Sequence, residues 1–251
     1  MNRVKIFGIN ICNITLDETV ELLEGYLREN KLRTIYTPNT EIVMAAKKNE
    51  EMKKLINSGD LIIPDGIGLI YGSKIRKRPL KERVTGFDTS IKLLDIANAH
   101  GYSIYLLGGK DGVAKEAADS IKIKYSNVKI AGYHHGYFRG SHLGLKDEAE
   151  EKEIIDEINK LNPDIIFVGF GFPRQEIWID SNKDRINGKV IIGNGGVMDI
   201  LSGNSKRAPD IFIKLGLEWL YRLFQDPSRI KRQIVLPRFL LEVILDKNAV
   251  E

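Results

Sequence analysis

The sequence holds one cysteine, Cys12, so an internal disulfide is excluded, and no CxxC pair or Cys/His cluster has zinc spacing. A reducing cytoplasm is the expected compartment. No run approaches the ~20 consecutive apolar residues that cross a bilayer. The start, MNRVKIFGINICNITLD, alternates like a strand and lacks the apolar core and small-residue cleavage site of a signal peptide. There is no Asp-x-Asp, the pair that commonly holds Mg²⁺ on a nucleotide diphosphate, and no HExxH among four histidines. A bound metal or other cofactor is therefore not expected. No GK[ST] follows a glycine turn, which excludes a P-loop, and no GxGxxG follows the first strand. An excess of one charge is also missing. The net charge is +4, from 38 basic and 34 acidic residues, too mild to argue for a nucleic-acid partner.

Apolar residues are plentiful. At 43% hydrophobic and 29% charged, 251 residues suffice for one large α/β domain or a domain with an appendage. VKIFGI (4–9) reads as a strand, followed by a helix over 16–30 with Leu16, Val20, Leu23 and Leu27 at helical spacing. Thr15 or Asp17 is placed to cap it. RTIYTPN leads to a helix over 40–56 and then to DLIIPD. Helices over 87–100, 111–125, 148–161 and 174–187 then alternate with the strands YSIYLLGG, VKIAGYHHGYF, DIIFVGFG and KVIIGNGG. This alternation predicts a Rossmann-like, largely parallel sheet with helices on both faces. Ligands of such sheets sit outside the carboxyl ends of the strands. Those ends read Thr37-Pro38-Asn39, Pro64-Asp65-Gly66, Gly108-Gly109, Gly136-Tyr137, Gly169-Phe170-Gly171 and Gly195-Gly196.

Two segments differ from this pattern. RGSHLGLK (139–146) interrupts the step from strand to helix and reads either as an expression-vector scar or as a surface loop, with no function attached to His142. The tail divides the chain into a core, 1–202, and a helical appendage, 203–251. Over 206–238 it holds eight basic residues against Asp210, Glu218 and Asp226. Phe212, Leu215, Trp219 and Leu223 recur at helical spacing, Pro227 breaks the pattern, and Ser228 is placed to cap a second helix that Pro237 kinks or splits. Basic amphipathic helices with Trp and Phe suit an anionic membrane surface. A helical hairpin docked on the core fits the same pattern.

Phosphate is the ligand chemistry these ends favour. LLGGKDGVAKEAA is a strand, a Gly-Gly turn and a helix start, whose free N–H groups suit an anion. VGFGFPRQE and IIGNGGVMD add two more glycine-rich ends, and three on one rim point to a phosphate-bearing ligand close to the backbone. Without a metal, a diphosphate leaving group is met by helix N-termini and by arginine, of which Arg83, Arg222, Arg229 and Arg232 are available. Asp65 reads as a turn or cap residue, or as a general base. Its apolar approach, its Pro64 and the neighbouring end Thr37-Pro38-Asn39 favour the base, for which partial burial supplies the needed rise in pKa. Tyr137 and Gln175 are candidate partners, although residues of either type more often serve in packing or turns.

The series YTPNTEIV, IIPDGIGLI, RVTGFD, LLGG, HGYF, PDIIFVGFGFPRQE, GGVMDILSG, RAPDIF, GLEWLYRL and DPSRIKRQ resembles the WecG/TagA/CpsF family of bacterial glycosyltransferases, in order over nearly the whole chain. The resemblance is strongest to members that act in wall teichoic acid synthesis. It implies inverting transfer of N-acetylmannosamine from its UDP-sugar to the 4-hydroxyl of N-acetylglucosamine on undecaprenyl diphosphate. Asp65 matches the family's base. Thr37, Asn39 and Gln175 match residues that position the sugars, and Arg83 matches an arginine of the motif set. The turns at Gly108, Gly109, Gly169, Gly171, Gly195 and Gly196 would hold the nucleotide. Arg222, Arg229 and Arg232 match tail arginines that close over the diphosphate. The tail of the family both docks on the core and approaches the inner face of the membrane, where the lipid acceptor resides, and homo-oligomers are left open. Asn194 departs from the family, which usually carries a small apolar residue there.

Three rivals differ in what they need. A nicotinamide-dependent oxidoreductase wants GxGxxG after the first strand, which IFGINICNITLD does not provide. A membrane-surface adaptor leaves the polar and glycine-rich strand ends unexplained. Relatives with other donors, a UDP-uronate or UDP-glucose, share the motif set.

Overall fold

A computed structural model of the protein describes residues 1–251, with the side chains of Arg229 and Lys231 outside the described residues. The chain opens on an antiparallel hairpin, β1 (Arg3–Ile6) with β2 (Ile9–Cys12). Phe7 and Gly8 close it with φ of 46° and 86°, the positive pair that suits the twist of a two-residue hairpin turn. The single strand predicted over 4–9 is thus two strands, and they stand apart from the main sheet. Phe7-Gly8 is not an Asn-Gly-type signal, so an apolar run conceals the turn.

α1 (Leu16–Arg28) begins at Thr15, whose hydroxyl accepts from the Glu18 N–H while the Glu18 carboxylate accepts from the Thr15 N–H. β3 (Arg33–Tyr36) leads to α2 (Thr40–Lys47) and α3 (Glu50–Asn57), two helices where periodicity predicts one. Asn49 makes the break by capping α3, accepting from the Met52 N–H. β4 (Leu61–Ile62) is followed by α4 (Ile67–Ile75), which an apolar run with three glycines does not announce. Then come α5 (Gly86–His100), β5 (Ser103–Gly108), α6 (Val113–Lys124) and β6 (Lys129–His134). After them stand α7 (Ala149–Leu161), β7 (Ile165–Gly169), α8 (Arg174–Asn182), β8 (Val190–Gly193) and α9 (Gly195–Leu201). α8 stops short of the predicted residue 187.

The six strands β3–β8 form one parallel sheet in the order β4-β3-β8-β7-β5-β6. Ile165–Val168 and Val190–Ile192 are fully buried, as strands covered by helices on both faces must be. The fold is therefore Rossmann-like α/β, and all six carboxyl ends lie along one edge.

Between β6 and α7, Ser141–Leu143 form one 3₁₀ turn. His142 is buried, its ring 4.6 Å from that of Phe138 and 4.8 Å from that of Phe170. The buried Glu151 carboxylate accepts from Ser141 and from Asn182. The segment 139–146 is thus built into the packing through Ser141 and His142.

The tail forms α10 (Asp210–Lys214), α11 (Glu218–Gln225), α12 (Ile230–Gln233) and α13 (Val235–Leu245). Asp226, not Ser228, caps the turn at Pro227, accepting from the Ser228 N–H. The second predicted helix splits at Ile234, leaving Pro237 in the first turn of α13, where no intrahelical N–H bond is lost. α13 docks on α2 and α4 through the buried Phe239 and Val243. Gly72 permits this, since a Cβ there would lie 2.8 Å from the Phe239 ring. The last residues return to β1, with Lys5 and Glu251 exchanging backbone hydrogen bonds. The tail also exposes large apolar side chains to solvent, including Ile211, Leu215, Phe224, Ile234 and Leu241. Among the described residues no helix is long and apolar enough to cross a membrane.

Candidate active site

The strand ends meet because three loops cross-link them. The Asp65 N–H donates to the Pro38 carbonyl at 3.2 Å and the Val84 N–H to the Pro64 carbonyl at 3.1 Å. Gly86 then lies against Thr37, whose Oγ1 would stand 3.2 Å from a Cβ at that position. A cavity of about 540 Å³ opens at this rim, within the range of small-ligand sites. Its floor holds Thr37, Asn39, Asp65 and Arg83, and its glycine wall holds Gly109, Gly169, Gly171, Gly195 and Gly196. Gln175 lies below that wall, and Tyr137 lines the cavity while remaining largely exposed. From the tail come Glu218, Trp219, Arg222, Arg232 and Leu236.

Several candidates have structural work as well. Gly108 does not line the cavity: a Cβ on it would lie 2.5 Å from the Gly169 carbonyl oxygen, so its place is the close contact between β5 and β7. Asn39 caps α2, accepting from the Ile42 N–H. Gln175 accepts from the Gly171 N–H at 3.1 Å and so holds the glycine turn in place. The Arg229 side chain lies outside the described residues. Arg232 pairs with Glu41 at 3.6 Å.

Asp65 is only partly open to the cavity, and burial pushes its carboxyl from 3.8 up to about 6. Arg222 and Arg83 pull it down, Glu218 pushes it up, and the Gly86 N–H in the first turn of α5 favours the ionised form. Desolvation dominates, which leaves a carboxylate that is basic and yet mostly ionised at neutral pH. Among the described residues no group of three or more His, Cys, Asp or Glu side chains is placed to hold a metal ion.

Three contributors escape sequence reading. Glu218 bridges Arg83 and Arg222 from the tail. Asn194 is buried at the start of α9, and its Oδ1 accepts from the Ser90 hydroxyl of α5 at 2.9 Å. Glu176 is buried in the first turn of α8, where Oε1 accepts from Gln175 Nε2 at 2.9 Å. Oε2 has no partner among the described residues, and burial lifts the carboxyl to about 7. Its place one turn before the core residue Ile179, on a face shared with it, is the signal that could have revealed it.

The raised pKa of Glu176 has a stability consequence. A carboxyl that holds its proton more tightly when folded costs nothing below the unfolded value near 4.5. The cost grows as pH rises to about 7 and is constant above that. The shift corresponds to about 3 kcal/mol at full development. Glu176→Gln is therefore expected to raise the melting temperature at pH 8 and leave it nearly unchanged at pH 4, measured by calorimetry across pH. Equal effects at both pH values would show that the carboxyl titrates normally.

A sequence profile described as the Glycosyl transferase WecG/TagA/CpsF family matches residues 4–250. A Bacillus subtilis protein named N-acetylglucosaminyldiphosphoundecaprenol N-acetyl-beta-D-mannosaminyltransferase is 36% identical over 249 residues, 99% of this chain and 93% of its own length. A protein of the same name from Bacillus spizizenii is 35% identical over 224 residues, 89% of this chain and 83% of its own length. A Staphylococcus aureus counterpart is 33% identical over 251 residues, 99% of this chain and 95% of its own length.

Proposed function

The chain belongs to the WecG/TagA/CpsF family of glycosyltransferases, and from that premise we propose that it moves N-acetylmannosamine from UDP-N-acetylmannosamine to the 4-hydroxyl of N-acetylglucosamine on undecaprenyl diphosphate. The product is a β-1,4-linked lipid disaccharide of wall teichoic acid synthesis, formed with inversion. The names of the relatives supply sugar and acceptor. The observation that carries the mechanism is Asp65, a desolvated carboxylate with a pKa lifted to about 6 that lines the cavity together with Arg83 and Arg222.

Asp65 takes the proton of the acceptor hydroxyl as the oxygen attacks the anomeric carbon. The bond from that carbon to the donor's diphosphate breaks, and UDP leaves with the electron pair. Arg83, Arg222 and Arg232 balance the charge that develops on the diphosphate, with Arg229 assigned to the same task by its motif. Thr37, Asn39, Tyr137 and Gln175 border the sugars, and the glycine turns after β5, β7 and β8 let the nucleotide approach the backbone. This division of labour assigns no step to a metal, so excess EDTA should leave the rate unchanged. The tail, 203–251, acts as an appendage that completes the site. Its exposed apolar residues and basic side chains suit reversible binding to the inner face of the membrane.

The decisive test is a donor panel with a GlcNAc-diphosphate-lipid acceptor. UDP-N-acetylmannosamine should be used at least about tenfold better than UDP-N-acetylmannosaminuronic acid or UDP-glucose. Preference for either of those would reassign the donor within the family, and no transfer from any would remove the activity.

A further inference from the structure

The tail brings one acid into the cavity wall, and its surroundings are cationic. Glu218 Oε1 pairs with Arg222 Nη2, and Oε2 pairs with Arg83 Nη2 at 3.3 Å. Glu218 is 12% exposed and Arg83 15%, so each charge at this depth depends on the other. A guanidinium has five N–H donors in a planar fork, and each arginine commits one nitrogen to Glu218. Among the described residues neither guanidinium has another hydrogen-bond partner, which leaves the rest of each fork for a second anion. Arg222 lies one turn beyond Glu218 on α11, whereas Arg83 belongs to the core loop that enters α5. The carboxylate therefore ties tail to core at the cavity itself.

We propose that Glu218 is a positioning residue that gathers Arg83 and Arg222 into one pair, whose remaining N–H groups receive the diphosphate of the donor. The inference rests on the UDP-sugar reading given above. Without the carboxylate between them the two guanidinium groups repel and must be ordered by the ligand, which weakens binding. Asp65 is faced by Arg222, Glu218, Arg83 and the Gly86 N–H, while Glu41, Lys110, Arg174, Asp199 and Arg232 line other parts of the cavity. Glu218 is the anion among its named neighbours, so its charge also holds back ionisation of the base.

Glu218→Gln in the full chain tests this by UDP titration calorimetry and by the pH profile of kcat/KM. UDP affinity should fall by about tenfold or more, and the acid limb should move to lower pH. A purely structural role would lower the melting temperature without moving that limb. UDP binding as tight as in the unaltered protein, or tighter, overturns the proposal and makes Glu218 a stand-in anion that the ligand displaces. Failure of the unaltered protein to bind UDP overturns instead the reading on which the inference rests. If the glutamine variant melts below the assay temperature, Glu218→Asp serves. It keeps the charge on an arm too short for both arginines, so UDP affinity falls while the acid limb stays, and unchanged affinity refutes the proposal.

Discussion

Asp65→Asn should lower turnover on a GlcNAc-diphosphate-lipid acceptor by about 10²–10⁴-fold while UDP still binds. The amide keeps the shape of the carboxylate and its acceptor oxygen toward the Gly86 N–H, but it cannot take a proton. The unaltered enzyme should gain activity as pH rises through about 6, where burial has placed the carboxyl, and the variant should lose that limb. Arg83 and Arg222 then face one anion fewer, so UDP affinity is expected to stay equal or increase. The folded protein also holds this carboxyl above its ordinary value. Stability therefore falls as pH rises from near 4 to about 6, and the asparagine is neutral to stabilising above that range. Near-normal turnover in the variant would remove Asp65 from the role of base.

The second large effect belongs to the tail. Arg222→Ala should lower kcat/KM by about a hundredfold, the scale of one lost charge-stabilising donor in a transition state. It should also move the acid limb above 6, because Arg222 is the first of the charges that favour the Asp65 carboxylate, and Glu218 would then oppose it with Arg83 alone. The loss should therefore be greatest below neutral pH and lessen toward pH 8, in rate profiles measured at saturating acceptor. A loss that does not vary with pH would separate Arg222 from Asp65. Deleting 203–251 is a blunter comparison. It strips Phe239 and Val243 from α2 and α4 and removes the strand-like partner of β1. Burial of each such side chain contributes about 1.5–3 kcal/mol, so the core loses stability along with activity.

The alternation of layers from residue 16 to about 200 was legible because parallel strands buried on both faces are written as continuous apolar runs, whatever their neighbours. The rim was legible for a related reason: once the strands are parallel, every carboxyl end lies on one side. Phe7-Gly8 hid a hairpin because a phenylalanine takes the positive-φ position where Asn or Asp is usual, and α4 hid in an apolar run because Gly66 at its start has no side chain to cap it. His142 became a core residue only when Phe138 and Phe170 closed around it. Glu176 looked like an ordinary first-turn acid until the fold buried it beside Gln175.

By itself, then, the sequence determined the layers, the candidate base and the family, since each rests on residue types at short spacing. The tertiary structure decided the ionisation of that candidate. Whether Asp65 is an ordinary acid or a proton acceptor near neutrality depends on its removal from water and on Arg83, Glu218 and Arg222. Arg83 and Glu218 are 135 positions apart in the chain, and the distance-dependent forces between them exist only after the tail has docked.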